Sequence, residues 1–118
     1  MPRMSPEAFQ VVGRPGSSSS VQILNAKGAI TYSSSATFQE AVAAVTSPRL
    51  IIDLGEVPSL DSVAVGALVR VFVSCQKSGR KLALVGLNHR VRNVLRITGV
   101  DPLFDIYATV AEAEAGLA

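Results

Sequence analysis

The sequence predicts an α/β fold: a single domain with a mixed central sheet of four to five strands and about four helices. Two runs, Leu50–Leu54 and Leu82–Val85, are almost continuously apolar, which is typical of strands covered on both faces. Between them lies a longer apolar segment, at about 62–78, that ends before Gly79. A strand, a helix and a second strand in this order predict a βαβ unit with parallel strands and a right-handed crossover.

Length and composition indicate one domain with an aliphatic core. The 118 residues suffice for one hydrophobic core and are too few for two. Hydrophobic residues make up 48% of the chain and charged residues 17%, while aromatic residues make up 5% and Trp is absent. We therefore expect one domain over residues 1–118, with its core at about 9–117 and flexible residues at 1–8.

The N-terminal part predicts a hairpin followed by a helix. Phe9–Gly13 and Val21–Gly28 are short runs of mixed apolar and polar residues on either side of a connection rich in Gly and Ser, and we expect them to be the peripheral strands. Apolar residues then recur at helical spacing and predict a helix over 35–45. Thr37 and Glu40 are spaced as a capping box for this helix.

The C-terminal part predicts two helices and a last strand. The Leu50–Leu54 run is expected to be the central strand of the sheet. After the βαβ unit we expect a helix over 88–98 and a short strand over Phe104–Tyr107. A second capping box, formed by Thr109 and Glu112, predicts the start of a terminal helix.

Charge is distributed unevenly along the chain. The net charge is only +2, but no Asp or Glu occurs from residue 62 to residue 100. That stretch holds seven of the eleven basic residues: Arg70, Lys77, Arg80, Lys81, Arg90, Arg92 and Arg96. Such a cluster either creates a positive field that attracts an acidic partner or an anionic ligand, or it only solvates the surface of ordinary helices.

Cysteine content and hydropathy exclude several classes of protein. Cys75 is the sole cysteine, so an intramolecular disulfide is excluded and the spacings of common metal sites are absent. Residues 1–6 lack the apolar segment of a signal peptide, and the longest apolar stretches are shorter than the roughly 20 residues that span a bilayer. We expect a cytoplasmic protein that contacts no membrane and needs no metal or cofactor.

The pair Asp61-Ser62 stands where the central strand gives way to the long helix. A serine at the start of a helix is an ordinary N-cap, because its oxygen accepts a hydrogen bond from an N–H group of the first turn. The same position tolerates a phosphate, since the free N–H groups and the positive end of the helix dipole attract anions. The residues themselves leave both interpretations of Ser62 open.

Two blocks of the sequence resemble the STAS domain of bacterial anti-sigma factor antagonists. They are LIIDLGEVPSLDSVAVGALVRVF, at residues 50–72, and GRKLALVGLNHRVRNVLRITGVDPLFDIY, at residues 79–107. The resemblance implies a non-catalytic protein that binds an anti-sigma factor, a serine kinase, and thereby frees a sigma factor. It also implies that this kinase phosphorylates the serine matching Ser62, which ends the interaction, and that a phosphatase restores it.

The chain departs from the family pattern in two places. Val63 and Ala64 follow Ser62, where many relatives continue with a second serine and a glycine. The acid that often follows the second strand is absent from Gly28–Tyr32. The first difference leaves Ser62 as the one hydroxyl of the motif, and the second removes a contact that the acid would make to a kinase or nucleotide.

The helix after Ser62 is expected to bury one stripe and to leave a second face open. The expected inward residues are Val65, Leu68, Val69 and Phe72. Together with Asp61 and Ser62, the second face forms the expected partner-binding surface: Val63, Gly66, Ala67 and Arg70. Small residues let another protein approach closely, but the same pattern also suits packing against a helix of this domain.

Four other functions are alternatives to an anti-sigma factor antagonist. An enzyme with Ser62 as nucleophile and His89 as base lacks a Gly-x-Ser-x-Gly elbow, and a receiver-like Asp53 lacks the clustered acids of a Mg²⁺ site. Direct nucleic-acid binding by the arginines of 90–96 lacks aromatic platforms. The main alternative keeps the fold: a STAS scaffold or ligand-sensing subunit of a larger signalling or transport assembly. The sequence leaves the oligomeric state open.

Overall fold

The structure is a computed structural model that describes residues 9–117 and shows a five-stranded mixed sheet with four α-helices. The strands are β1 (Gln10–Pro15), β2 (Val21–Lys27), β3 (Arg49–Glu56), β4 (Lys81–Val85) and β5 (Asp105–Tyr107). The helices are α1 (Ser35–Ala43), α2 (Ser62–Lys77), α3 (His89–Ile97) and α4 (Val110–Leu117), with a 3-10 turn at Asp101–Leu103. The predicted fold class is confirmed. Residues 1–8, for which we predicted flexibility, lie outside the described part of the chain.

The strands lie in the sheet in the order in which they occur along the chain. β1 pairs antiparallel with β2, and the later neighbours pair in parallel. Because α1, α2 and α3 each connect two neighbouring parallel strands, the chain contains three successive βαβ units. β3 is the central strand, as the Leu50–Leu54 run predicts.

β2 lies inside the sheet, so the prediction that both hairpin strands are peripheral was wrong for this strand. It pairs with β1 on one side and with β3 on the other. Its consecutive residues Ile23 and Leu24 point to opposite faces and are both buried. Polar Gln22 and Asn25 made the run look half-exposed, whereas two adjacent buried residues are typical of a strand covered on both faces.

The core consists of two unequal layers on the two faces of the sheet. On one face α1, α2 and α3 cover the strands, and the packed side chains include Leu50, Ile52 and Leu84. On the other face α4 covers Ile51 and its neighbours on the adjoining strands. Each fully buried aliphatic side chain contributes about 1.5–3 kcal/mol through removal from water, so the larger layer, beneath α1 to α3, contributes most of the stabilisation that comes from apolar burial.

The helix starts confirm the predicted cap Thr109 and contradict the predicted cap Thr37. α1 begins at Ser35 after Ser34, whose hydroxyl donates to the carbonyl of Ala29 and accepts from a loop N–H instead of capping the helix. Thr37, predicted as the cap, therefore lies inside α1. At α4 the N–H of Glu112 donates to Thr109 Oγ1 at 3.1 Å, as predicted. The Glu112 carboxylate in turn accepts from the N–H of the residue before Thr109.

The ends of α2 and α3 are set by glycines. Gly79 and Gly99 follow the last turns with φ of 70° and 76°, a left-handed conformation that residues with a Cβ adopt only at a cost. Within residues 9–117 we find no helix long and apolar enough to span a bilayer.

Candidate functional site at the start of the second helix

The site begins where two loops meet at one end of the sheet. The loop after β2 and the loop after β3 run side by side, because Ile30 and Leu60 form an isolated parallel bridge. Both side chains are buried. This apolar support fixes the two residues that follow Leu60, Asp61 and Ser62, at the surface where α2 begins.

Asp61 is the N-cap of α2 and also holds the neighbouring loop. Its Oδ1 accepts a hydrogen bond from the N–H of Ala64 at 2.9 Å, and its Oδ2 accepts one from the N–H of Tyr32 at 3.2 Å. One carboxylate thus joins the first turn of α2 to the loop between β2 and α1. The interpretation of Ser62 as the cap was wrong, because Asp is an equally good cap and already occupies the position before the first helical residue.

Ser62 is the first residue of α2, and its side chain is exposed. A second protein can therefore reach the hydroxyl without opening the fold. The N–H groups of Ser62 and Val63 lie in the first turn, where they have no acceptor within the helix. Together with the positive end of the helix dipole they favour an anion at this place.

Tyr32 is the neighbour of this site that the sequence did not reveal. Its backbone N–H is bonded to Asp61, and its side chain is 80% exposed. A tyrosine in a polar loop gives no periodic signal, and its partner Asp61 lies 29 residues further along the chain. Only the three-dimensional structure brings the two together.

The buried stripe of α2 differs from the expected one. Its buried residues are Ala64, Val65, Ala67, Leu68, Val71 and Cys75. Val65 and Leu68 are buried as predicted, whereas Val69 and Phe72 are only partly buried. Ala67 was placed on the open face, and this was wrong because it is completely buried. Alanine is small enough for either environment, so the pattern of apolar residues did not fix its side.

The open face of α2 runs from Ser62 along the whole helix. Val63 is 38% exposed and Val73 is 40% exposed. Arg70 and Lys77 are exposed on the same side of the helix, since residues three or four positions apart share a face. An open depression of 570 Å³ along the second half of the helix is lined by Val69, Arg70, Val73, Ser74, Lys77 and Ser78.

Gly66 lies in the middle of this open face, and the fold does not require it to be glycine. A Cβ placed there would meet no atom closer than Arg70 Nη1 at 3.9 Å, an ordinary contact. A glycine inside a helix costs about 1 kcal/mol relative to alanine. Packing within the domain therefore does not explain why this residue is glycine.

The basic residues of the C-terminal half are not neutralised by carboxylates in the described part of the chain. The ion pair found among residues 9–117 joins Lys27 to Glu56 at 4.0 Å, and both side chains are exposed. Arg80 has a structural role, because it donates to the carbonyl of Val45 at 2.7 Å. Arg70 is exposed on α2, where it faces solvent.

A family model for the STAS domain matches residues 13–113. The chain belongs to the STAS domain family. A Thermotoga maritima protein provisionally named an anti-sigma factor antagonist is 37% identical to this STAS domain over 65 residues, which cover 55% of this chain and 58% of that protein. The matched region therefore spans little more than half the length of this curated relative.

Two solved structures show how widely this fold is shared. An anti-sigma factor antagonist from Mycobacterium paratuberculosis superposes with a TM-score of 0.85 at 23% identity, covering 96% of this chain and 97% of that one. The Bacillus cell fate determinant SpoIIAA in its phosphorylated form superposes with a TM-score of 0.68 at 16% identity, covering 94% and 100%. At these identities the likeness establishes the fold of the STAS domain.

Residues named in the enzyme and receiver alternatives occupy ordinary structural positions in this STAS domain. His89 is an exposed residue at the start of α3, and Asp53 Oδ1 accepts from the N–H of Gly55 at 2.9 Å, which closes a turn.

Burial raises the pKa of the Cys75 thiol, although the nearby Arg80 lowers it. No group of three or more potential metal ligands occurs in the described range.

Proposed function

We propose that this STAS domain is a non-catalytic anti-sigma factor antagonist that acts in the cytoplasm. In its unphosphorylated form it binds an anti-sigma factor with kinase activity, and the sigma factor is released. The kinase then phosphorylates Ser62, which ends the interaction until a phosphatase removes the phosphate. The observation that carries this proposal is the exposed Ser62 hydroxyl on the first residue of α2, next to the open face of the same helix.

The free domain tolerates a phosphate at Ser62. The group would add a charge of about −1.5 to −2 at the positive end of α2, where the N–H groups of the first turn accept anions. The core side chains of α2 lie on the opposite side of the helix. Phosphorylation therefore leaves the fold intact, and its effect is confined to the surface.

A partner docked on the same surface does not tolerate the phosphate. Asp61 already places a carboxylate beside Ser62, so the phosphate adds like charge. Arg70 lies eight residues further along α2, about 12 Å at 1.5 Å per residue. This distance exceeds the Debye length of about 8 Å at physiological salt, so the charge of Arg70 does not compensate that of the phosphate. Repulsion and desolvation that cost about 3 kcal/mol would weaken binding by about two decades.

The alternative is a STAS scaffold or sensor subunit of a larger signalling or transport assembly. It keeps the fold and predicts that charge at residue 62 has no effect on binding to an anti-sigma factor. The two functions therefore differ in one measurable quantity, the change in affinity on modification of Ser62.

The proposal is tested with the purified ATP-binding anti-sigma factors encoded in the source genome. Incubation with the cognate kinase and ATP should place one phosphate on Ser62, as mapped by mass spectrometry of peptides. Ser62→Ala should remain unmodified and bind as the unmodified chain does, whereas Ser62→Asp should bind about 100-fold more weakly. Ser19→Asp, an equal charge change in the exposed β1–β2 connection, serves as the matched control. Equal affinity of all three variants would contradict the switch.

A further inference from the structure

Tyr32 combines a fixed backbone with an unpacked ring. At 80% exposure it is the most exposed large apolar or aromatic side chain of residues 9–117. Its own N–H is held by Asp61, the N–H of Thr31 donates to Ser34 Oγ at 2.9 Å, and Ser34 Oγ donates to the carbonyl of Ala29 at 2.9 Å. These hydrogen bonds order the loop, and the side chain of Tyr32 takes part in none of them.

The packing of this domain does not explain the aromatic side chain. A tyrosine that stays in water gains little from its ring, whereas a partner that buries the ring gains a large apolar area for the loss of only two side-chain torsions. Tyrosine is among the residue types that contribute most to protein interfaces. A rigid loop that presents an unpacked tyrosine is what such an anchor requires.

We propose that Tyr32 is the anchor that the anti-sigma factor buries beside Ser62, and that Asp61 positions it. This inference rests on the function proposed above. The partner is assigned from continuity of the surface: the carboxylate that caps the helix carrying Ser62 also bonds the backbone of Tyr32. A protein that docks closely enough to be repelled by a phosphate on Ser62 therefore also covers the neighbouring loop.

The chemistry of the surface describes the complementary site on the partner. An apolar pocket with a polar group for the phenol hydroxyl suits Tyr32. Exposed Val63 and the bare backbone at Gly66 suit a flat, weakly polar surface next to that pocket. A carboxylate further along suits Arg70, which is exposed on the same face.

Asp61 is a positioning residue in this arrangement, and its two hydrogen bonds can be separated. Ser at an N-cap stabilises a helix about as well as Asp, so Asp61→Ser keeps the bond to the N–H of Ala64. The shorter side chain has a single oxygen and gives up the bond to the N–H of Tyr32. In this variant the amide of Tyr32 should exchange its hydrogen faster, while α2 keeps its protection.

The test is a double-mutant cycle on the affinity for the purified anti-sigma factor kinase that modifies Ser62, measured by calorimetry with ADP present. Tyr32→Ala should weaken binding about 10- to 100-fold, and Asp61→Ser should weaken it about 5- to 10-fold. The double variant should bind no more weakly than Tyr32→Ala alone, because Asp61 acts through Tyr32. Ile97→Ala, which truncates a 74% exposed side chain on α3, should bind as the unmodified chain does.

The outcomes separate the two proposals. If Tyr32→Ala binds as the unmodified chain does while Ser62→Asp binds weakly, the anchor is wrong and the proposed function stands. If the losses of Tyr32→Ala and Asp61→Ser add up in the double variant, Asp61 does not act through Tyr32. If the unmodified chain binds none of the anti-sigma factors, the proposed function fails, and the anchor with it.

Discussion

The helices α2 and α3 start at the same end of the sheet, after neighbouring parallel strands, but their caps differ in chemistry. Asp61 accepts two hydrogen bonds, from the N–H groups of Ala64 and Tyr32. Asn88 accepts one from the N–H of Val91 and donates from its amide to the carbonyl of Val57 at 3.0 Å. A carboxylate can only accept hydrogen bonds, so it holds a loop by accepting from a backbone N–H of that loop. A side-chain amide can also donate, so it can hold a loop by donating to one of its backbone carbonyls.

The charge around the two helix starts differs as well. α2 has an acidic cap and no basic residue in its first turn, whereas α3 has a neutral cap followed by His89 and Arg90. A phosphate at the start of α2 therefore meets like charge, while an anion at the start of α3 would meet an arginine. The proposed switch at Ser62 depends on this difference, because no cation in the first turn of α2 compensates an added negative charge.

The largest expected effect on stability comes from removing the two caps. Asn88→Ala should lower the free energy of unfolding by about 2 kcal/mol, since it removes a cap and leaves the carbonyl of buried Val57 without its partner. Asp61→Ala should cost about 1 kcal/mol, because its second bond lies at an exposed loop. Urea denaturation of both variants measures the difference. A larger loss for Asp61→Ala would reverse the structural roles assigned to the two residues.

The next effect concerns Gly66 on the open face of α2, where one substitution should raise stability and lower binding affinity. Gly66→Ala should raise the free energy of unfolding by about 1 kcal/mol, because the new methyl group meets no close atom and alanine is the better helix former. The same variant should bind the anti-sigma factor more weakly, since the methyl group stands between the two surfaces. Thermal unfolding and calorimetry check the two effects. A destabilised Gly66→Ala protein would show that packing within the domain requires the glycine.

The success of the sequence-based predictions depended on how local the determining contacts are. The βαβ unit follows from almost continuously apolar runs such as Leu50–Leu54, which lie within one element and are insensitive to their surroundings. The cap of α1 was assigned wrongly to Thr37 because several neighbouring hydroxyl residues compete as caps, and Ser34, which precedes the helix, is instead used by the loop. The side of Ala67 was misplaced because alanine fits a buried and an exposed position equally well.

The candidate site was predictable only in part for the same reason. Ser62 and its place at a helix start follow from the local sequence and from the family resemblance. The bond between Asp61 and Tyr32 joins residues 29 positions apart, and no local pattern announces it. The exposure of Tyr32 likewise depends on the surrounding fold.

The smallest effect is expected from a third side chain that bridges to a loop, the carboxylate of Glu114. Glu114 Oε1 on α4 accepts from the N–H of Ser17 at 3.1 Å and also from its hydroxyl. These hydrogen bonds lower the pKa of Glu114 below its ordinary value of 4.5, with a weaker effect of Arg14. A lowered pKa in the folded state contributes stability above the ordinary pKa, and this contribution is lost as the pH falls through the folded pKa.

This pH dependence is checked by thermal unfolding between neutral and acidic pH. The difference in midpoint between the unmodified chain and Glu114→Gln should be small at neutral pH and should vanish in acid. Glu112→Gln, a neighbouring carboxylate of the same helix, serves for comparison. If the difference in unfolding midpoint between Glu114→Gln and the unmodified chain is the same at every pH, the contact with Ser17 does not favour the ionised carboxylate.

The most direct test of the account compares one preparation of the protein before and after complete phosphorylation of Ser62. We predict that the phosphorylated chain keeps its circular dichroism spectrum and its cooperative unfolding, while its affinity for the anti-sigma factor falls by about two decades. Equal affinity of the two forms would contradict the electrostatic switch. A loss of affinity that is accompanied by unfolding of α2 would contradict the claim that the phosphate acts only at the surface.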